Sequence, residues 1–289
     1  MIKTPTQLKA LVHNIAGSDS GRSQLLFRNY AMERFLERIS LSEYRNNFIL
    51  KGGMLVAAMV GLENRATMDI DTTVRNLPLD PENSLRIIQE IADISLEDNI
   101  RFEIRDVSQI MEEAEYNGIR LSLNAFLDKL RIPLKIDIST GDAITPSEVR
   151  YQYGLMFEDR KIPLWTYNLE TVLAEKVETV LSRGILNTRL RDFYDLHILQ
   201  ATNHKVDHAV LAQALAATCR SRGSTAKLDQ YRTIVAQVYS SQSMQERWSN
   251  YQSKNSYAAG LEWDTVMKSI LTLCDRCLSE PTRSLAPAL

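Results

Sequence analysis

Apolar and polar positions repeat along this chain with two different periods. Between Gln24 and Arg38, Leu26, Tyr30 and Phe35 or Leu36 recur near helical spacing with charges between them, which predicts a packed helix. The run Phe48-Ile49-Leu50 reads as a strand or a helix end, and Gly52-Gly53 breaks it. Met54 to Val60 then reads as a helix opening at those glycines, and a further helix is predicted from Ser84 to Ile94, with Pro81 and Glu82 near its start.

Beyond that helix the period changes to two. Ile100, Phe102 and Ile104 alternate with Arg101, Glu103 and Arg105, and Tyr116-Asn117-Gly118 is a turn signal leading into the strand IRLSLNAFL. After Pro133, LKIDIST places Leu134, Ile136 and Ile138 on one face, and Asp137 on the other with Lys135 and Ser139. An antiparallel or mixed sheet is the expected result. From Asn168 the pattern is helical to the end, with stops at Gly184, around Asn203 and at Gly223, and only the tail from Pro281 reads as loose. The chain thus divides into an α+β region, 1–165, and a helical region, 166–289.

Two carboxylates stand out against this pattern. Asp69 and Asp71 flank Ile70, so in an extended strand both project from one face while Met68 and Ile70 point into the core. In the helix LETVLAEKVETVLSR, with Val172 at zero and ~100° per residue, Lys176 falls at about 40°, inside the apolar arc of Leu169, Val180, Leu173 and Val177. In RLRDFYDLHIL, Asp192 shares its stripe with Leu196 and Leu199, and Asp195 lies at its edge. A lysine on an apolar face requires a partner or an outlet to a polar space. Asp192, or failing it Asp195, is the expected partner, with a solvated role the alternative for Asp195.

With 289 residues, 44% apolar and 24% charged, the chain has the composition of a globular protein rather than a disordered or fibrous one. Its net charge of −2 excludes a global basic excess for coating nucleic acid. No apolar run has the length of a signal peptide or a membrane span, so a cytoplasmic protein is expected. Cys219, Cys274 and Cys277 cannot all pair, and Cys274-x-x-Cys277 lacks a second ligand pair for zinc. His204 and His208, four apart, have no accompanying HExxH glutamate. The C-terminal aromatics, Tyr231 to Trp263, read as core rather than as an RNA-stacking surface.

The order of these features carries the chemistry. Gly52 and Gly53 let backbone approach a triphosphate, whose charge meets the positive end of the following helix. Asp69 and Asp71 on one strand and Asp137 on another can hold two divalent cations, with Mg²⁺ suited to carboxylate and phosphate oxygens. Lys176 and Arg65 neutralise charge on the phosphates. Nucleotidyl transfer is the reaction this set describes.

KGGMLVAAMVGLENRATMDIDTTV, LKIDIST, LETVLAEKVETVLSRG and RLRDFYDL, in that order, resemble the four motifs of the AbiEii/AbiGii toxin family of nucleotidyltransferases. The resemblance implies a polymerase-β-like nucleotidyltransferase core with a mixed sheet, followed by a helical C-terminal region. It implies that Gly52 and Gly53 bind phosphate together with Arg65, Thr67 and Lys176. It further implies that Asp69, Asp71 and Asp137 bind metal, and that Lys176 and Asp192 belong to the third and fourth motifs. The wider superfamily usually has Gly-Ser in the first motif; Gly53 here removes a hydroxyl contact to the triphosphate. Members are similar in using an NTP to modify a target, with tRNA acceptor ends among the acceptors, and in having a cognate antitoxin of the AbiEi type. Two other readings share the fold: a non-catalytic NTP-binding or interaction module, and a small-molecule nucleotidyltransferase of the antibiotic-modifying kind.

Overall fold

The computed structural model describes residues 1–110, 118–202 and 205–278. Contacts among the described residues divide the chain into two units, one formed by Met1–Ala58, Ala66–Gly141 and Val149–Thr166, the other by Met59–Arg65, Asp142–Glu148 and the described residues after Thr166.

The first unit is built on a seven-stranded sheet in the order β3-β4-β5-β2-β1-β7-β6. The strands are β1 (Phe48–Lys51), β2 (Ile70–Val74), β3 (Ile100–Ile110), β4 (Gly118–Leu127), β5 (Leu130–Thr140), β6 (Val149–Gly154) and β7 (Lys161–Thr166). The sheet is mixed: β2 pairs in parallel with β5 and β1 with β7, and the other pairings are antiparallel. The α+β expectation therefore holds. Ile132, Leu134, Ile136 and Ile138 are buried along one face of β5, as the alternation predicts. β6 and β7 have no counterpart in the sequence reading, because VRYQYG and KIPLWT are short and interrupt their apolar positions with charge and proline.

Four helices accompany the sheet: α1 (Pro5–Ala16), α2 (Ser20–Leu41), α3 (Gly52–Val60) and α4 (Pro81–Ala92). Thr4 and Gln7 close a capping box on α1, and Asp80 caps α4 ahead of Pro81. α2 is the packed helix the spacing predicts, and it buries its charges along with its apolar residues. Glu33, Arg34, Glu37 and Arg38 are all buried. Arg38 grips Asp98 through two nitrogens at 2.8 and 2.9 Å, and Arg160, in the β6–β7 turn, grips Glu37 at 2.5 and 2.9 Å. Both oxygens of Glu33 accept from Met156 N–H in the same turn, and burial pushes its carboxyl up to about 7.

The second unit is helical: α5 (Leu169–Arg183), α6 (Leu190–Ala201), α7 (His208–Ser221), α8 (Ala226–Asp229), α9 (Tyr231–Ser240), α10 (Gln242–Lys254) and α11 (Trp263–Leu278). α5 has the predicted ends. Asn168 accepts from Thr171 N–H at 2.7 Å, and Gly184 follows the last turn at φ 50. Cys219, Cys274 and Cys277 are buried free thiols, and burial pushes the Cys277 thiol up to about 12. Trp248, Tyr251, Tyr257 and Trp263 pack in an aromatic cluster, with Trp248 stacked on Tyr251 at 5.5 Å and Tyr194 4.9 Å from Tyr257, whereas Tyr239 is exposed, contrary to the core expectation. Tyr116, Asn117, Asn203, His204 and the tail from Pro281 lie outside the described residues.

Candidate active site

The end of β1 and the start of β2 bring the glycines against an aspartate. Gly52 has φ +64, and a Cβ there would lie 2.1 Å from Asp71 Oδ2. Only glycine lets the backbone turn here with that carboxylate in place. Gly53, in the first turn of α3, donates its N–H to Asp71 Oδ2 at 3.2 Å. The glycine pair thus holds the carboxylate of the acidic strand against the opening turn of α3.

Strand register extends this contact into a row. Lys51 pairs with Asp71, Asp71 with Asp137 across the parallel β2–β5 pair, and Asp137 with Arg120 across the antiparallel β5–β4 pair. Residues in register share a face, so Lys51, Asp71, Asp137 and Arg120 form one line across four strands. Arg120 Nε and Nη2 reach both Asp137 oxygens at 2.8 and 2.6 Å. Burial raises the Asp71 carboxyl above its ordinary value. The charges of Asp137 and Asp69 add to that, and the Gly53 N–H and Lys51 only partly offset it.

Asp69 stands differently from the expectation. β2 begins at Ile70, so Asp69 precedes the strand, and Met68 is 43% exposed rather than buried. Ile70 is buried as predicted, whereas Met68 lies outside the pleat and its sulfur accepts from Arg28. Thr67 is buried, its hydroxyl 3.4 Å from the Asp69 carbonyl.

The donor set of this row suits a hard divalent cation. Asp71 and Asp137 offer only oxygens, and burial together with neighbouring charge leaves Asp71 short of positive charge. Among the described residues no three acidic, histidine or cysteine side chains are gathered closely enough to hold a metal. The Asp71–Asp137 pair fits a cation by its chemistry; a finished three-carboxylate cradle is not formed.

In the second unit a separate charge cluster ties α5 to α6. Lys176 Nζ lies 2.7 Å from Asp192 Oδ1 and 2.8 Å from Asp195 Oδ2. Arg65 Nε and Nη2 reach the two oxygens of Asp195 at 2.6 and 3.2 Å. Lys176 therefore contacts both aspartates, and Asp195, fully buried, is not solvated. Arg65, expected at the phosphates, is itself 1% exposed and clamps Asp195. Burial raises the Asp195 carboxyl, but Arg65 and Lys176 outweigh it and hold it at about 2. Burial lowers the Lys176 ammonium, and its two aspartates more than restore it, so it stays charged at neutrality.

Two members of the row, Lys51 and Arg120, are not among the residues the sequence singles out. Arg120 had a visible signal, since it falls on the polar face of IRLSLNAFL; its alignment with Asp137 exists only through strand register.

Comparison with known proteins gives this geometry a family. A model described as nucleotidyl transferase AbiEii toxin, type IV TA system, matches residues 34–269. No curated protein sequence matches. Among solved structures the chain resembles a candidate nucleotidyltransferase from H. pylori, at 14% identity, TM-score 0.49, covering 92% of this chain and 99% of that one. JHP933 from Helicobacter pylori is similar at 14% identity and TM-score 0.49, over 91% and 96% of the two chains. An antigenic nucleotidyltransferase-like protein from Paracoccidioides brasiliensis shares 14% identity at TM-score 0.38, over 92% and 94%. With the family match extending over most of its length, the chain belongs to the AbiEii nucleotidyltransferase toxin family of type IV toxin–antitoxin systems.

Proposed function

We propose that this protein is a toxin that transfers a nucleotidyl group from an NTP to a hydroxyl acceptor, the 3′ end of a tRNA. Its work is done in the cytoplasm, under the control of an AbiEi-type antitoxin. The family itself implies an antitoxin partner, and no helix among the described residues is long and apolar enough to cross a membrane.

The observation that carries the reading is the pairing of Asp71 with Asp137 in register, above a glycine pair that opens α3. Asp71 and Asp137, joined by Asp69, would hold Mg²⁺, as two ions in this reading. The metal supplies charge stabilisation to the transferring phosphoryl group and its leaving pyrophosphate. The acceptor oxygen bonds to the α-phosphorus, the bond from that phosphorus to the bridging oxygen breaks, and pyrophosphate leaves. A carboxylate of the row takes the hydroxyl proton. Gly52 and Gly53 keep the backbone low enough for phosphate to approach the N-terminus of α3, with Thr67 beside them. The reading keeps Lys176, held charged by Asp192 and Asp195, as the source of positive charge in the second unit. Arg65 becomes a support of that cluster.

The test is transfer of label from each of the NTPs in the presence of Mg²⁺, offered total tRNA and then small acceptors. Label on tRNA, abolished by Asp71→Asn, supports the proposal. Label on a small acceptor moves the protein to the antibiotic-modifying class. NTP binding with no transfer leaves the interaction-module reading, which the grip of Arg120 on Asp137 favours.

A further inference from the structure

Arg120 ends the row on the side of β4, and nothing in the transfer chemistry above uses it. Its guanidinium engages both Asp137 oxygens in a two-point fork, with the arginine side chain 36% and the aspartate 18% exposed. A carboxylate gripped this way has one acceptor site on each oxygen taken and its charge neutralised, so a cation at Asp137 meets an adjacent guanidinium and competes with it. Lys51 and Arg120 already offset two of the three negative charges of Asp71, Asp137 and the nearby Asp69. A divalent cation added to that row leaves an excess of positive charge that only an anionic ligand removes.

We propose that Arg120 is the resident counter-ion of this site. It occupies Asp137 in the cation-free protein, and a divalent cation drawn to Asp71 and Asp137 displaces it onto a phosphate oxygen of the nucleotide. Arginine is suited to both states, because the same planar fork matches carboxylate and phosphate. Exchange needs only side-chain rotation, since strand register already holds Arg120 beside the row. The nucleotide identity of the anion rests on the nucleotidyl-transfer reading; the competition at Asp137 does not.

The experiment is calorimetric titration of the full chain with Mn²⁺, then with α,β-methylene NTP analogues at saturating Mn²⁺, for wild type, R120Q, R120K and D71N. With the competitor removed, R120Q should bind Mn²⁺ about fivefold or more tightly than wild type. It should bind the analogue about tenfold more weakly, having lost a charged fork to phosphate. R120K, with charge but no fork, should fall between on both measurements and decides the matter if R120Q fails to fold. Unchanged Mn²⁺ affinity in the arginine variants overturns the proposal, and so does tighter Mn²⁺ binding with undiminished analogue affinity. If D71N loses Mn²⁺ binding while R120Q and R120K behave as wild type, the Arg120 role alone fails. If wild type binds no Mn²⁺, or D71N binds it equally well, both this proposal and the metal-dependent reading fall.

Discussion

At the scale of single residues, Asp71 concentrates the most consequence. Its carboxyl is raised by burial and by Asp137 and Asp69, so its charged form opposes folding: the native state binds a proton more tightly than the unfolded one. Stability should therefore fall as pH rises through the raised value, and Asp71→Asn should melt higher than wild type near neutrality without divalent cation. The same substitution should reduce nucleotidyl transfer by on the order of 100-fold or more, about 3 kcal/mol of barrier. A melting scan beside the labelled-NTP assay checks both, and a variant less stable but equally active would refute the charge argument. Gly52→Ala makes the complementary test. With positive φ and a Cβ 2.1 Å from Asp71, the substitution should cost about 1–3 kcal/mol by denaturant titration. It should also lower transfer, by pushing the carboxylate off its register.

At the scale of elements, α5 and α6 are joined by a buried cluster whose members depend on one another. Lys176→Met alone leaves Asp192 only the more exposed Arg189, 3.1 Å away, and Asp195 only Arg65, which should cost roughly 3 kcal/mol. Adding Asp192→Asn should recover part of that loss, giving a coupling of about 1–3 kcal/mol in a double-mutant cycle. Simple additivity would mean the contact contributes nothing. α2 carries a second device, its latch to the β6–β7 turn through Glu33. The carboxyl rises from 4.5 to about 7, so the stability of the protonated form is complete below about 4.5 and is lost as pH rises toward 7. The loss should be on the order of 3 kcal/mol, read as a falling denaturation midpoint over that window, and Glu33→Gln should flatten it.

At the scale of the whole molecule, the second unit contributes a buried carboxylate whose loss weakens the fold in acid. Asp195 falls from an ordinary 3.8 to about 2, so the stability it contributes is present above about 4 and is lost as pH falls toward 2. The Lys176→Met variant should lose less than wild type across that range, by circular dichroism at matched ionic strength. Much of this fold is legible in the amino-acid sequence. α5 lies where helical periodicity and its Asn and Gly ends put it, and the alternation in LKIDIST sets the buried face of β5, because both are local signals of backbone period. The order of glycines, acidic strand, third aspartate and lysine was likewise open to reading, because chemistry depends on residue type. Residue type and local period determined which side chains are available and, inside regular elements such as β5 and α5, which face they occupy, whereas Met68 and Asp69 fall outside the strand their alternation suggests. Tertiary structure alone decided which of them meet: that Arg120 stands opposite Asp137, that Arg65 closes on Asp195, and that Glu33 and Glu37 of α2 meet the β6–β7 turn. Pairings across 17 to 130 residues depend on strand register and helix packing, which no local period encodes.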